Sequence, residues 1–272
     1  ALLSLSLRLF SSARLPLAAA ASPSTMSDST APVTLRYFAL RGRGEPIRLA
    51  LALAGVPWTE EVPDYAALKA SAGSAANPFG QVPLLLDGDF TLAQMDAILR
   101  HIGRKHDLYG KTVEDAALID MVLIGVESLR SAYGDLVYKQ ALADDAKATY
   151  KQTHFDQASV HTRNSGAHFA YFEAILSRNR TGYAVGDHAS IADVQVRPLA
   201  HSLAHSLAAD TTFTQLFDIV DLHLREQLFP EAMQAFPFLT AHHARIAAIP
   251  SVAAYLASDR RPAQVNGIAG RG

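Results

Sequence analysis

The chain has 272 residues, 49% of them apolar, enough for one large domain or two ordinary ones around a substantial core. Lys plus Arg total 24 against 26 Asp plus Glu, so no basic excess draws the chain to nucleic acid or to an anionic membrane, and neither is an expected partner. Cysteine is absent, which excludes disulfides, thiolate metal sites and any protein thiol as nucleophile.

The first 25 residues hold Arg8, Arg14, six serines and no acidic residue, the composition of an organelle transit peptide. No run there is long enough to span a bilayer. The first methionine is Met26, so the same segment reads equally as untranslated sequence ahead of a cytosolic start. The expected location is therefore cytoplasmic, or mitochondrial or another organelle if the leader is translated. In both readings residues 1–31 stand outside the expected fold.

From Val33 to Phe38 apolar and polar residues alternate as in a strand. Arg41-Gly42-Arg43-Gly44-Glu45-Pro46 then turns into a helical run ending near Ala54, which Gly55-Val56-Pro57 stops. Trp58 to Val62 reads as a second strand, and Asp64 caps a short helix through Lys69. Residues 70–77 are small and polar, as in a loop. Val82-Pro83 opens an apolar run to Leu86, Asp87-Gly88-Asp89 turns the chain, and Phe90-Thr91-Leu92 returns as a hairpin. Ile98, Leu99 and Ile102 then recur at helical spacing.

After residues 109–113, a linker, strand signals end. Leu118, Met121, Val122, Gly125, Leu129, Ala132 and Leu136 predict one long helical face. Further helices are expected at about 144–163, 166–178, 190–208, 212–228 and 237–257. The expected fold class is α+β: an N-terminal thioredoxin-like βαβ-ββα domain over 32–108, an all-α domain over 114–265 and a tail over 266–272. His154, His161 and His168 recur every seven residues, too far apart on a helix for one metal ion, and read as a solvated stripe. His242-His243 reads as a surface pair.

A thioredoxin-type redox enzyme needs a cysteine pair after its first strand. Tyr37 stands there instead. By itself it is either a strand-end packing residue or a phenol placed to donate a hydrogen bond to an anion. Gln81, Gln94 and Arg43, taken singly, read as solvated surface groups.

The segments YFALRGRGEPIR, FGQVP, LAQMDAILRHIGR, LYGK and EDAALIDMVLIGVESLR, with Ser190 to Asp193 as a helix-capping box, together resemble the cytosolic glutathione transferases. The likeness is to the pi class, with sigma-class features. The resemblance implies an enzyme that conjugates glutathione to hydrophobic electrophiles in detoxification, with glutathione as cosubstrate and no metal or bound cofactor. It makes Tyr37 the catalytic residue, donating a hydrogen bond to the glutathione sulfur. A thiol of pKa about 8.5 is only a few per cent ionised at pH 7, and each unit of depression is worth about 1.36 kcal/mol to the thiolate.

By the same resemblance the Val82 backbone pairs with the tripeptide across a cis Val82-Pro83 bond. Gln81 and Gln94 bind its glycine side and its γ-glutamyl end, Arg43 supplies a nearby charge, and Lys69 substitutes for the family's glycine-carboxylate ligands. Phe38 and Tyr138 fall in the electrophile pocket. Phe79 matches the aromatic that anchors a homodimer. Met95 stands where the family has a serine for the γ-glutamyl carboxylate, and Ser128 where the pi class has an acid reaching across the dimer, although Glu127 precedes it. These departures motivate an alternative: a catalytically weak or inactive relative acting as an apolar-ligand-binding or structural protein.

Overall fold

The computed structural model describes residues 33–160, 168–187, 190–192, 215–221, 223 and 228–267. The leader, His161 and Asp193 of the expected capping box lie outside these residues, as does most of the helix expected at 190–208.

Four strands form one mixed sheet: β1 (Val33–Arg36), β2 (Trp58–Glu61), β3 (Leu84–Asp87) and β4 (Phe90–Ala93), in the order β2-β1-β3-β4. β1 and β2 run parallel, with Val33 opposite Trp58. β3 runs antiparallel to β1, and β4 returns beside β3 with Asp87 opposite Phe90. The turn between them uses Gly88 at φ 62°, a conformation open to glycine. This is the thioredoxin-like arrangement expected from the sequence.

Helix α1 (Glu45–Leu53) is buried along its whole length, because it packs against α3 (Met95–Lys105) and against two C-terminal helices, α7 (Gln215–Val220) and α9 (Pro250–Leu256). Its two charges are satisfied internally. Arg48 bonds the Glu60 carboxylate and the carbonyls of Phe38 and Leu40, while Glu45 accepts from Tyr255 Oη and Arg261 Nε, each at 2.8 Å. A buried charge without partners would cost several kcal/mol, so these bonds fix α1 to the loop after β1 and to the C-terminal segment. Helix α2 (Tyr65–Ala70) starts as expected at Asp64, whose carboxylate accepts the Ala67 amide at 2.7 Å.

The helical half begins with α4 (Val113–Tyr138), opened by a capping box between Thr112 and Asp115. Its buried face carries Ile119, Val122, Leu123, Val126, Leu129, Tyr133 and Leu136. Leu118 and Met121, expected on that face, are instead 45% and 53% exposed. α4 is apolar on two sides, and the periodicity alone did not say which one faces the core. Then follow α5 (Asp144–His154), α6 (Phe169–Asn179), α7, α8 (Pro237–Ala247) and α9. The expected helix 144–163 stops at His154, and 237–257 is broken at Ala248-Ile249, because Pro250 lacks an amide donor and starts a new helix.

The expected histidine surface sites are corrected by the structure. His154 and His168 are buried, and His168 caps α6 through Nδ1, which accepts the Ala170 amide at 3.0 Å. His242 and His243 are both 2% exposed, with His243 stacked on Phe217 and bonded to Asp221 at 2.9 Å. The α3 helix meets the helical half at Gly103, where a Cβ would lie 2.6 Å from Ile191 Cγ2. Only a residue without a side chain lets Ile191 sit there.

Candidate functional site

Two clefts meet around the loop that follows β1. The loop is held from both sides, since the Arg41 and Gly42 amides donate to the carbonyls of Gln264 and Val265. Gly42 has φ +37°, and a Cβ there would come within 2.6 Å of Tyr37 Oη; one on Gly44 would come within 2.5 Å of the Tyr37 ring. Both glycines make room for the phenol.

Tyr37 is 8% exposed, and its hydroxyl oxygen accepts the Arg43 amide hydrogen at 2.9 Å. That bond leaves the hydroxyl hydrogen free to be donated. Burial raises the Tyr37 pKa above its ordinary value, outweighing the Arg43 amide, which favours the phenolate. The group is therefore a neutral phenol near pH 7, a donor rather than a base.

The first cleft, of about 470 Å³, is a typical size for a small-molecule site. One wall is the loop Gly80 to Pro83, with Gln81 exposed and the Val82-Pro83 peptide cis, as expected. A second wall is α2, where Lys69 lines the cleft and donates to the Gly80 carbonyl at 2.8 Å. The floor comes from Ala93, Gln94 and Met95, at the N-terminus of α3. Gln94 has φ 72° and ψ 118°, a conformation that costs a non-glycine residue about 1–3 kcal/mol and so points to a functional constraint. Met95 is 2% exposed. The Asp96 carboxylate lies 3.8 Å from Arg100, and Asp96 does not line the cleft.

Arg43 borders both clefts, and its guanidinium donates to Glu127 Oε1 at 2.5 Å. Burial works against the Arg43 charge, but the Glu127 carboxylate outweighs it and raises the pKa. The second cleft, of about 340 Å³, is lined by Tyr37, Tyr133, Tyr138 and Val265, with Arg130 and Asn266 alongside. Tyr138 is exposed, and its hydroxyl accepts the Gly267 amide at 3.2 Å. Asn266, expected in the tail, thus lines this cleft, and Gly267 bonds the tyrosine at its edge.

Tyr37, Arg43 and Tyr138 therefore surround one cleft, and Arg43, Lys69, Gln81, Val82, Pro83, Gln94 and Met95 the other. Phe38 lines the first cleft and Tyr37 the second, because consecutive residues leaving a strand point opposite ways. Phe79 is 59% exposed at the loop tip. Cleft residues to which sequence reasoning gave no site role include Tyr65 and Glu127 in the first cleft and Arg130 and Tyr133 in the second. Glu127 had a signal, since it lies seven residues after Asp120, which pairs with Arg100 of α3 at 2.6 Å. Two helical turns keep both acids on the side of α4 that meets the N-terminal half.

Comparison with known proteins agrees with this geometry. Residues 33–104 match the glutathione S-transferase N-terminal domain, and residues 138–212 and 205–259 match the C-terminal domain of the same family. Glutathione S-transferase P of Bos taurus is 36% identical over 241 residues, covering 87% of this chain and 98% of its own. That of Pongo abelii is 37% identical over 237 residues, covering 86% and 95%. The pi-class glutathione S-transferase structure of Onchocerca volvulus superposes with a TM-score of 0.65 at 28% identity, covering 83% of this chain and 92% of that one. With both domains matched in order around two adjoining clefts, the chain belongs to the glutathione S-transferase family.

Proposed function

We propose that this glutathione transferase binds glutathione in the first cleft and uses the Tyr37 phenol to hold its sulfur as thiolate. The thiolate attacks an electrophilic carbon seated in the second cleft. The observation that carries this reading is the Tyr37 hydroxyl: its oxygen is occupied by the Arg43 amide, its pKa is raised, and Tyr37 lines the second cleft beside Arg43, which borders both. A phenol so placed donates to a thiolate more strongly than to a thiol, which lowers the thiol pKa.

With an aryl chloride the carbon–sulfur bond forms, the carbon–chlorine electron pair leaves as chloride, and the thiol proton has already passed to solvent. Glutathione is the cosubstrate, and neither a metal nor a bound cofactor takes part. The tyrosine-lined second cleft suits apolar electrophiles, as in detoxification.

The test is conjugation of glutathione to chloro-dinitrobenzene by the wild type and by Tyr37→Phe. Loss of one charge-assisted hydrogen bond predicts a fall in kcat/KM of about ten- to a hundredfold. Equal rates would remove Tyr37 from the mechanism, and a wild type without turnover would favour a non-catalytic, ligand-binding role.

The protein works as a homodimer in this reading. Leu118, Met121 and Ile124 form an exposed apolar stripe along α4, and Phe79 and Phe90 are exposed aromatics of the N-terminal half. Such a surface suits burial against a second copy. Sedimentation should give a dimer for the wild type and a monomer for Met121→Glu; a monomeric wild type at micromolar concentration would refute the assignment.

A further inference from the structure

Two buried carboxylates from different parts of the chain converge on one arginine. Glu45 opens α1 and Asp221 follows α7. Each is already held by another donor, Glu45 Oε2 by Tyr255 Oη at 2.8 Å and Asp221 Oδ1 by His243 Nε2 at 2.9 Å. Arg261 joins their other oxygens, with Nε donating to Glu45 Oε1 at 2.8 Å and Nη2 to Asp221 Oδ2 at 2.7 Å. The rigid fork of a guanidinium reaches both at once, which the point charge of an ammonium does not.

Just beyond this clamp the segment meets the loop after β1. The Gln264 and Val265 carbonyls accept the Arg41 and Gly42 amides at 2.8 and 3.0 Å, and the Pro262 carbonyl accepts from Arg41 Nε at 3.0 Å. On its other side the loop is held by Arg48, which donates to the Leu40 carbonyl. The next amide along, that of Arg43, is the one on the Tyr37 oxygen. Arg260 also ties the segment down, through the Trp58 carbonyl at 2.9 Å, but it is exposed, so Arg261 is the more buried anchor.

We propose that Arg261 is a positioning residue for the transferase reaction: by clamping the C-terminal segment to Glu45 and Asp221, it sets where residues 41–43 stand against the Tyr37 hydroxyl. Arg261 lines neither cleft. The proposal rests on the glutathione reading given above, and adds to it a residue that acts on the sulfur through Arg43 and Tyr37. A misplacement of about 1 Å, even by a change far from the chemistry, lowers a rate by up to about a hundredfold, so slack in the segment is felt at the phenol. None of residues 255–267 lines the first cleft, whereas Val265 and Asn266 line the second. Loss of the clamp therefore spares glutathione binding and disturbs the thiolate.

The test compares Arg261→Gln and Arg261→Lys with the wild type, the lysine keeping a charge beside the two buried acids. Glutathione affinity is measured by calorimetry at about pH 5.5, where the thiol is largely protonated both free and bound. The bound thiol pKa is read by ultraviolet titration, and kcat with chloro-dinitrobenzene at about pH 6.5. Arg261→Gln should keep its glutathione affinity within about twofold, raise the bound thiol pKa by about half a unit or more and lower kcat about three- to tenfold. Arg261→Lys should shift both in the same direction by less. An unchanged bound thiol pKa in either folded variant would overturn the proposal, as would glutathione affinity and kcat falling together with the pKa kept, which is the mark of a merely structural role. The wild type alone supplies a further arm: its Arg41 and Gly42 amides should be protected from hydrogen exchange, and free exchange there would overturn the proposal without any variant. These outcomes leave the transferase reading intact. A wild type that neither binds glutathione nor lowers its thiol pKa would overturn that reading and this role together.

Discussion

The behaviour of Tyr37 is decided by its neighbours rather than by its own chemistry. A strand-end tyrosine is unremarkable, but Gly42 and Gly44 clear space around the ring and the Arg43 amide occupies the oxygen. The run from Tyr37 to Gly44 therefore announced the site in the sequence, since small residues flanking an arginine have little other reason to follow a strand. Met95 was legible as a departure, and the structure shows its consequence. The first residue of α3, at the floor of the first cleft, packs a buried thioether where the family has a hydroxyl. Met95→Ser should tighten glutathione binding by about tenfold, by adding a hydroxyl donor at a helix N-terminus that already favours anions. It should also cost about 2–4 kcal/mol of stability through the cavity left behind. Calorimetric titration and thermal melting measure the two effects. Unchanged affinity would mean that the carboxylate lies away from α3.

Among the elements, those with one apolar face were read correctly, and those apolar on two sides or interrupted by polar residues were not. α4 carries a core face and an exposed apolar stripe, which a single sequence does not rank. The histidines were misread for a related reason. Imidazole is amphipathic, so heptad spacing fits a buried residue as well as a solvated one. His223, beside α7, shows what burial demands. Nδ1 donates to the Ile219 carbonyl at 2.7 Å, leaving Nε2 to accept the Tyr150 hydroxyl hydrogen at 2.8 Å. Burial pushes its pKa down to about 3, and burial likewise depresses His242.

The sign follows from that direction. As pH falls below about 6.5 the unfolded chain takes up a proton that folded His223 refuses, so its contribution is present above that pH and lost towards pH 3. Asp218 opposes this: burial raises its pKa to about 6 despite the Arg130 bond at 2.8 Å, so its contribution is full below about pH 4 and lost as pH rises through 6. Comparing His223→Gln with the wild type isolates the histidine. The variant should lose up to about 1.4 kcal/mol less stability per pH unit between pH 6 and 4. Parallel denaturation curves against pH would show that His223 is not buried neutral.

At the scale of the molecule, the two halves are joined where the chemistry happens. The C-terminal segment from Tyr255 to Val265 returns to the N-terminal half, bonds Glu45, and pins the loop bearing Arg41 and Gly42. The second cleft is thereby walled by α4, by the loop after β1 and by the last described residues together. Sequence order foretold a glutathione-binding half and a helical half. It did not foretell that residues 265 and 266 close the site, because such contacts span more than two hundred positions and leave no local pattern. The central claim is that a neutral Tyr37, poised between these walls, stabilises the glutathione thiolate. An ultraviolet titration of the thiolate in the binary complex tests it most directly. The account predicts a bound thiol pKa at least one unit below the free value of about 8.5, rising by about one to two units in Tyr37→Phe. The same bound pKa in both proteins would contradict it.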